Sequence, residues 1–367
     1  MKDFTNVVLF SNTSEDAGDL VKAVKEYAKQ DINERTKTAY FEYDKTGTKD
    51  VKEKVIQDLY FAEIQRRVGF GAEKFDGDIR SYANSTIVRE FAQSLDRILL
   101  DAVMPLVYDN SALSLIAEFH MAGYGQSFKF DIEDPTLYSV SKLDRRMKHG
   151  MTQRKDKSTV VINTDSYAVS SITNLPEIML GEVMVARELM RMAMSMQRKI
   201  YALTIGKFVE KMEAITAPAL TLTNYDEKEV IKRLQTVSVY NNNKGILVGA
   251  PDALKVVLPA SQNTRILLQD EYNTTLGYMS TFNNYDVLAL PPVAADDGAY
   301  GLTGLPSNRL YIISPTARKL IHVALGTTMT NTDGIYENAN NSVISTLRQE
   351  IGVDIATNAY GAIVKLA

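Results

Sequence analysis

The sequence contains no cysteine, and this absence removes several kinds of chemistry at once. Disulfide bridges, thiolate nucleophiles and zinc sites built on cysteine are all excluded. Nothing in the fold of such a chain depends on thiol oxidation. The composition is therefore indifferent to whether the surrounding compartment is oxidising or reducing.

Long apolar segments are missing as well. No run of the sequence approaches the roughly 18 uncharged apolar residues that a membrane span requires. The first residues, Met1 to Phe4, lack the basic flank and the apolar stretch of a secretory signal. We therefore expect a soluble chain that is made in the cytoplasm and has no membrane partner.

The residues and motifs that catalysis and metal binding use are scarce. The three histidines, His120, His149 and His322, show no metal-ligand spacing, so we expect them to be packing or surface residues. The sequence contains no Gly-x-Ser-x-Gly elbow, no phosphate-binding Gly-x-x-x-x-Gly-Lys-Ser/Thr loop and no complete Gly-x-Gly-x-x-Gly after a strand. We therefore predict no enzymatic activity and no catalytic, cofactor-binding or metal residues.

The composition that remains is that of a folded globular protein. Among the 367 residues, 45% are apolar and 23% are charged, close to the averages for soluble domains, so a large core is expected. This length suits two or three folding units. The net charge of -4 is small and does not indicate a general nucleic-acid binder.

The first sixty residues differ from the rest because 22 of them are charged, with both signs mixed. Apolar residues at helical spacing predict amphipathic helices over residues 15–29 and 49–67. Two interpretations stay open for this region: a small helical domain with a thin core, or a detachable or extended arm. A further helix is predicted over residues 81–106, with Pro105 marking its end.

Residues 126–172 are predicted to form a long two-stranded excursion. Phe128, Phe130 and Ile132 alternate with charged residues in a half-buried strand pattern, and residues 159–162 and 167–172 also read as strands. An isolated two-stranded ribbon is marginally stable in water, and its open edges invite pairing with another chain. The excursion is the first indication of assembly.

The tip of this excursion is basic, with a net charge of +5 over residues 142–157. Three interpretations stay open: a solvated charge run, a salt contact between subunits, or a nucleic-acid site. Only Tyr138 and Tyr167 lie near enough to supply base stacking, which disfavours the third. The cationic residues are Lys142, Arg145, Arg146, Lys148, Arg154, Lys155 and Lys157.

The strongest helical pattern in the chain covers residues 176–213. Apolar residues recur there at steps of three and four, which predicts a spine-like helix of ~55 Å at ~1.5 Å per residue. Met184, Met192 and Met196 are expected on its other faces. The stripe itself consists of Met179, Val183, Ala186, Met190, Met194, Tyr201, Ile205, Phe208 and Met212.

After the long helix the pattern is mixed, which predicts an α+β domain. Helices are expected at residues 225–240 and 251–258, and strands at residues 245–249, 286–290, 310–313 and 320–325. The last segment, residues 343–367, is expected to be a strand pair in which Ile351, Val353 and Ile355 alternate with polar residues.

This order of elements resembles the major capsid proteins of tailed bacteriophages, the Hong Kong 97 fold. The residues that carry the resemblance are the hairpin at 126–172, the long helix at 176–213 and the closing segments at 348–353 and 360–363. The resemblance implies this division: 1–80, a scaffold-like segment or a retained extension; 81–125, an N-arm and linking helix; 126–172, the extended loop; 173–224, the peripheral domain with the spine helix; 225–325, the axial domain; 326–367, closing strands returning to the peripheral domain.

The resemblance also implies a function. Subunits would form pentamers and hexamers of an icosahedral shell in the virion, assembled in the host cytoplasm around packaged double-stranded DNA that is enclosed non-specifically. The extended loop would lie over a neighbouring subunit, and its basic residues would contact acidic surface there. A scaffold, a maturation protease, a portal and decoration proteins are further possible partners, and no cofactor is implied.

Two alternatives remain. An encapsulin-like nanocompartment has the same fold but encloses protein cargo, and its chains are usually shorter. An α+β small-molecule-binding protein or enzyme is the alternative from another class, and it would be monomeric in solution with ligand-dependent melting.

Overall fold

The computed structural model describes residues 18–37, 48–68, 86–109, 117–121, 128–132, 138, 140, 142, 154, 158–174, 177–178, 182–257, 281–295, 301–314, 319, 321–326, 329–331, 342–355 and 360–366. None of the helices in these segments combines the length and the apolar character needed to cross a membrane. The chain divides into two compact units: residues 1–111, 166–197 and 327–350 form the first, and residues 112–165, 198–326 and 351–367 form the second.

Three helices pack on one another in the first unit. They are α1 (Gly18–Lys37), α2 (Thr48–Val68) and α3 (Thr86–Asp109). The Tyr60 hydroxyl of α2 lies 3.0 Å from Asp96 Oδ1 and 3.2 Å from the carbonyl oxygen of Ala92, both on α3. Burial and the neighbouring Asp96 carboxylate raise the pKa of Tyr60 well above its usual value. The helices predicted in the first sixty residues are therefore present, and they share a buried core with α3: Leu20, Val24, Ile56, Tyr60, Ile64, Leu95, Leu99.

Two predicted helix boundaries are wrong. Helix α3 continues through Pro105 to Asp109, because a proline near the end of a helix removes only one backbone donor. The long helix α4 (Val185–Glu213) begins nine residues after its predicted start, and its length is ~44 Å. Between the predicted and the observed start, the backbone N–H groups of Glu182 and Val183 donate to the Glu177 carbonyl in a turn. The glycine at position 181 also lowers the helix propensity of this stretch of sequence.

Helix α4 is buried on more than its predicted stripe, and it contributes to both units. The stripe residues Met190, Ile205 and Phe208 are buried as predicted. Met192 and Met196, which are expected on other faces of the helix, are buried too, so α4 packs on more than one side. A helix with packing partners on several sides loses the simple amphipathic pattern from which a single stripe is inferred.

The strands of the first unit are organised around β14 (Ser342–Ile355). Its earlier residues pair with β13 (Met329–Asn331) and with β4 (Asp165–Asn174). Ser170 and Thr346 hydroxyls lie 3.0 Å apart, and Arg348 Nη2 donates to Ser166 Oγ over 3.1 Å. Strand β4 was expected to belong to the two-stranded excursion, and this is wrong because it pairs with β14.

In the second unit, β1 (Ala117–Met121) pairs in parallel with β12 (Ile321–Leu325), and β12 pairs in antiparallel fashion with residues 351–355 of β14. All five residues of β12 are buried. The sequence Ala-Glu-Phe-His-Met of β1 alternates apolar and polar residues, which is a strand pattern, but the sequence analysis did not predict this strand.

A six-stranded sheet completes the second unit. Its strands lie in the order β5 (Thr221–Thr223), β15 (Ala362–Lys365), β11 (Arg309–Ile313), β6 (Ile246–Gly249), β8 (Tyr285–Ala289) and β7 (Thr281–Phe282). Helix α5 (Glu227–Asn241) is capped at its start by the Asp226 side chain, which accepts from the Lys228 backbone N–H. The remaining elements of this region are α6 (Pro251–Leu254), β9 (Val293–Ala294) and β10 (Leu302–Thr303).

The predicted α+β class is confirmed, because helices and mixed sheets alternate along the chain. The expected pairing of the two closing strands is wrong. Strand β15 pairs with β11 and β5, whereas β14 pairs with β12, β13 and β4. Both strands have the predicted residues, but they belong to different sheets.

Candidate assembly surface

The predicted excursion begins as a two-stranded ribbon. Strand β2 (Phe128–Ile132) pairs in antiparallel fashion with β3 (Ser158–Ile162), and Phe128 is opposite Ile162. Neither strand pairs with any other strand in the segments that the structure describes. Among the described segments, the outer edge of each strand therefore presents backbone donors and acceptors that no neighbouring strand satisfies.

One face of the ribbon is apolar and is anchored within the second unit. Phe128 and Ile162 are buried against Ala324 of β12, and Phe130 packs beside them. Lys129 and Asp131, on the opposite face, are exposed, and Asp131 Oδ1 accepts a 3.1 Å hydrogen bond from Thr159 Oγ1. The base of the ribbon is therefore fixed by ordinary hydrophobic packing, as the period-two pattern of β2 predicted.

Gly352 of β14 makes this anchoring possible. A Cβ atom at residue 352 would lie 2.4 Å from the Asn163 carbonyl oxygen and 2.9 Å from Ile162 Cγ2, immediately after β3. Distances this short are incompatible with a side chain. The close passage of β14 beside the end of β3 therefore requires glycine.

Beyond the ribbon base, few residues of the excursion are described. Val140 is 98% exposed, and Tyr138 is also exposed. Of the predicted basic residues, Lys142 and Arg154 are exposed, whereas Arg145, Arg146, Lys148, Lys155 and Lys157 lie outside the described residues.

A second exposed surface occurs at the end of α5. Val239 is 72% exposed, and the exposed rings of Tyr240 and Tyr360 lie 5.2 Å apart. The Asn241 side chain fixes this pair, because it donates to the Tyr360 carbonyl and accepts from the Tyr360 N–H, each over 2.8 Å. Tyr240 stands before a polar stretch of the sequence, but its pairing with the distant Tyr360 has no signal in the sequence.

In the first unit, α2 is joined to the start of α4 by polar contacts. The Gln57 side chain donates to the Ile178 carbonyl over 2.7 Å and accepts from the Val185 N–H over 3.2 Å. Buried Glu53 accepts from the Tyr27 hydroxyl over 2.5 Å and from Arg187 Nη2 over 2.6 Å. The N-terminal helices therefore satisfy backbone groups at the start of the long helix.

Two of the three histidines, expected to be separate packing or surface residues, are neighbours in the structure. His120 Nε2 lies 3.2 Å from His322 Nδ1, and Phe130 of the ribbon packs on both rings at centroid distances of 4.6 and 4.5 Å. They are 202 residues apart in the sequence, so spacing alone gave no signal. His149 lies outside the described residues.

Comparisons with known proteins give structural likenesses only. No protein-family model matches the chain, and no curated protein matches it. Among solved structures, the chain is similar to the capsid of an empty GTA particle, with 14% identity over 70% of this chain and 89% of that chain and a TM-score of 0.49. It is also similar to the mature capsid of bacteriophage PhiM1, with 13% identity over 68% and 85% of the two chains and a TM-score of 0.44.

A virus-like particle from Pyrococcus furiosus shows a similar likeness, with 12% identity over 72% of this chain and 96% of that chain and a TM-score of 0.44.

Proposed function

We propose that this chain is the major capsid protein of a tailed bacteriophage, with a Hong Kong 97-like fold. Copies of the chain form pentamers and hexamers of an icosahedral shell that encloses double-stranded DNA. The role is structural rather than catalytic. The order of a helical N-terminal region, a β-ribbon, a long helix, an α+β region and closing strands supports this proposal.

The β2–β3 ribbon is the observation that carries the proposal. Its base is anchored by Phe128 and Ile162, and residues 133–157, which join the two strands in the sequence, include seven cationic residues. Two strands alone are marginally stable in water, and open strand edges favour pairing with another chain. A neighbouring copy that covers the ribbon satisfies both requirements, and this is the role of the extended loop in a capsid.

Charge supplies the specificity of this contact. The seven basic residues at 142–157 give the loop a net charge of +5, while the whole chain carries -4, so the remainder of each copy is acidic. Opposite charges on loop and neighbour favour correct orientation and fast association. Lys142 and Arg154 are exposed, as this role requires.

The exposed Val239, Tyr240 and Tyr360 surface supports a second contact between copies. Aromatic residues are enriched in the buried parts of protein interfaces. This surface lies at the end of α5, in the region assigned to the axial domain, 225–325, whose copies surround each capsomer axis in the proposed shell. We propose that the six-stranded sheet, with β15 included, is this axial domain.

We further propose that residues 1–80 stay part of the folded subunit rather than acting as a removable scaffold. The support is the buried core shared by α1, α2 and α3, together with the Gln57 and Glu53 contacts to the start of α4. Cleavage before α3 would expose Leu95 and Leu99, which are fully buried.

Reversal of charge at the loop tip tests the proposed interface. The double variant Arg145→Glu/Arg146→Glu is expected to remain folded by circular dichroism but to lose assembly in sedimentation velocity. Assembly is lost because the two new glutamates are repelled by the neighbour's acidic surface. Arg145→Lys/Arg146→Lys is the matched control, since it keeps the charge and should assemble. Equal yields of assembled particles from the two double variants would contradict the proposed contact.

The contents of the particles distinguish a phage capsid from an encapsulin-like compartment. A shell purified from infected cells should contain double-stranded DNA that resists nuclease until the shell is opened. A shell that holds a defined cargo protein and no DNA would instead support the encapsulin-like alternative.

A further inference from the structure

Backbone pairing brings two imidazoles and one carboxylate to one face of the β1–β12 sheet. Glu118 and His120 are two positions apart on β1, so their side chains leave the same face of the strand. His322 of β12 is the register partner of Glu118, and paired residues in a sheet share a face. The grouping therefore follows from the fold rather than from one chosen rotamer.

One ligand atom from each of the three side chains lies within 4.8 Å of the other two, close enough for the three to surround a metal ion. His120 Nε2 is 3.2 Å from His322 Nδ1 and 3.5 Å from Glu118 Oε1, and His322 Nδ1 is 3.9 Å from Glu118 Oε2. Tetrahedral coordination with bonds of ~2.0–2.1 Å separates adjacent ligand atoms by about 3.3 Å. We propose that Glu118, His120 and His322 bind one divalent transition-metal ion, with zinc as the best match.

The donor set selects the class of ion. Two imidazole nitrogens and one carboxylate oxygen suit zinc and its first-row neighbours, whereas calcium and magnesium prefer oxygen ligands alone. Three protein ligands leave the fourth tetrahedral position to water. The chain has no cysteine, so no thiolate elsewhere in it competes for the ion.

Burial is graded across the site in a way that allows an ion to enter. The His322 side chain is 3% exposed, while the side chains of His120 and Glu118 are 29% and 39% exposed. The buried imidazole fixes one coordination position, and the other two ligands border solvent. An ion arriving from solvent therefore meets Glu118 and His120 before it reaches the inner ligand.

The bound ion would stabilise the base of the ribbon. It joins β1 to β12 through side chains, and it orients the two imidazoles against which Phe130 of β2 packs. The ion thereby acts on the anchoring of the excursion in the same chain. The proposal concerns metal binding by the subunit, and it does not depend on what the subunit assembles into.

Calorimetric titration tests the site directly. The full-length chain is stripped with a chelator and titrated with Zn²⁺, and cobalt substitution reports coordination by its visible absorption. We expect one ion per chain and a tetrahedral cobalt spectrum. His120→Gln and Glu118→Gln should each weaken Zn²⁺ binding at least about tenfold, since loss of even an outer-shell partner costs 10- to 100-fold.

His149→Gln is the matched control, because it removes the only histidine outside the proposed site. It should leave the Zn²⁺ affinity unchanged. Circular dichroism checks that His120→Gln stays folded, and Zn²⁺ should raise the melting temperature of the wild type but not that of His120→Gln. No stoichiometric binding by the wild type, equal affinity in His120→Gln, or a loss confined to His149→Gln would each overturn the proposal.

Discussion

Gly352 shows how one residue controls the anchoring of the ribbon. It pairs with Ala324 of β12, which in turn packs against Phe128 and Ile162 of the ribbon. The space for a side chain at residue 352 is taken by the Asn163 carbonyl. The sequence could not indicate this requirement, because the contact joins residues about 190 positions apart, and alternation in β14 predicts only a strand.

Gly352→Ala is expected to lower the free energy of unfolding by about 1–3 kcal/mol, since the new methyl group overlaps a backbone oxygen that cannot move freely. Chemical denaturation measures the change. Gly206→Ala on α4 is the control: nothing lies within 4 Å of a Cβ there, and alanine should stabilise the helix by about 0.5–1 kcal/mol. If Gly352→Ala is as stable as the wild type, β14 does not pass the end of the ribbon as closely as the structure indicates.

Buried tyrosines give the fold a dependence on alkaline pH. Burial raises the pKa of Tyr201 to about 12, and its hydroxyl donates to the Pro291 carbonyl over 2.5 Å. In the unfolded chain tyrosine ionises near pH ~10. Between pH 10 and 12 the folded state therefore retains a proton that the unfolded state loses, so the free energy of unfolding falls as pH rises.

Tyr201→Phe should make this fall between pH 10 and 12 less steep, because the variant has no proton to retain. At neutral pH the same variant should lose about 0.5–1.5 kcal/mol through the missing hydrogen bond. Denaturant titrations at several pH values separate the two effects. Identical slopes for wild type and variant would mean that Tyr201 ionises normally in the folded chain.

At the scale of elements, local patterns predicted most helices and strands, and long-range pairing was the main source of error. The alternation in residues 128–132 correctly gave a strand, and the helix near residues 225–240 is close to its predicted bounds. The partners of β4 and β15 were wrong, because a strand pattern indicates which face is buried but not which strand lies beside it.

The start of α4 is an element boundary that depends on a distant side chain. Its Val185 N–H is satisfied by Gln57 of α2, 128 residues earlier. Periodicity extended the predicted helix back to residue 176, because apolar spacing continues through the turn before Val185. Only the tertiary contact shows that the backbone donor of Val185, at the start of the helix, is satisfied by a side chain of another helix.

Gln57→Ala is expected to destabilise the chain by about 1–3 kcal/mol, because the Val185 N–H and the Ile178 carbonyl lose their partner in a buried position. Gln235→Ala, at an exposed position of α5, is the control and should change stability by less than about 0.5 kcal/mol. Thermal and denaturant unfolding measure both. A near-neutral Gln57→Ala would argue that α2 is not docked on the start of α4.

At the scale of the whole molecule, the sequence predicted the α+β class and the order of the elements more successfully than it predicted the candidate sites. The basic residues at 142–157 were found by counting charges, which needs no structure. The histidine pair and the Tyr240–Tyr360 pair were missed because each joins distant segments. A site formed by tertiary contacts leaves no local pattern in the sequence, whereas a surface formed by one loop is visible as a run of neighbouring residues.

Assembly is the property on which the account depends. The proposed capsid would explain the ribbon, the basic loop and the exposed α5 surface as contacts with further copies of the chain. The most direct test is sedimentation velocity of the purified full-length chain over a wide concentration range, with electron microscopy of the fastest fractions. The account predicts capsomers or closed shells with pentameric and hexameric units. A single monomeric species at every concentration and ionic strength, folded and without particles in the microscope, would contradict it.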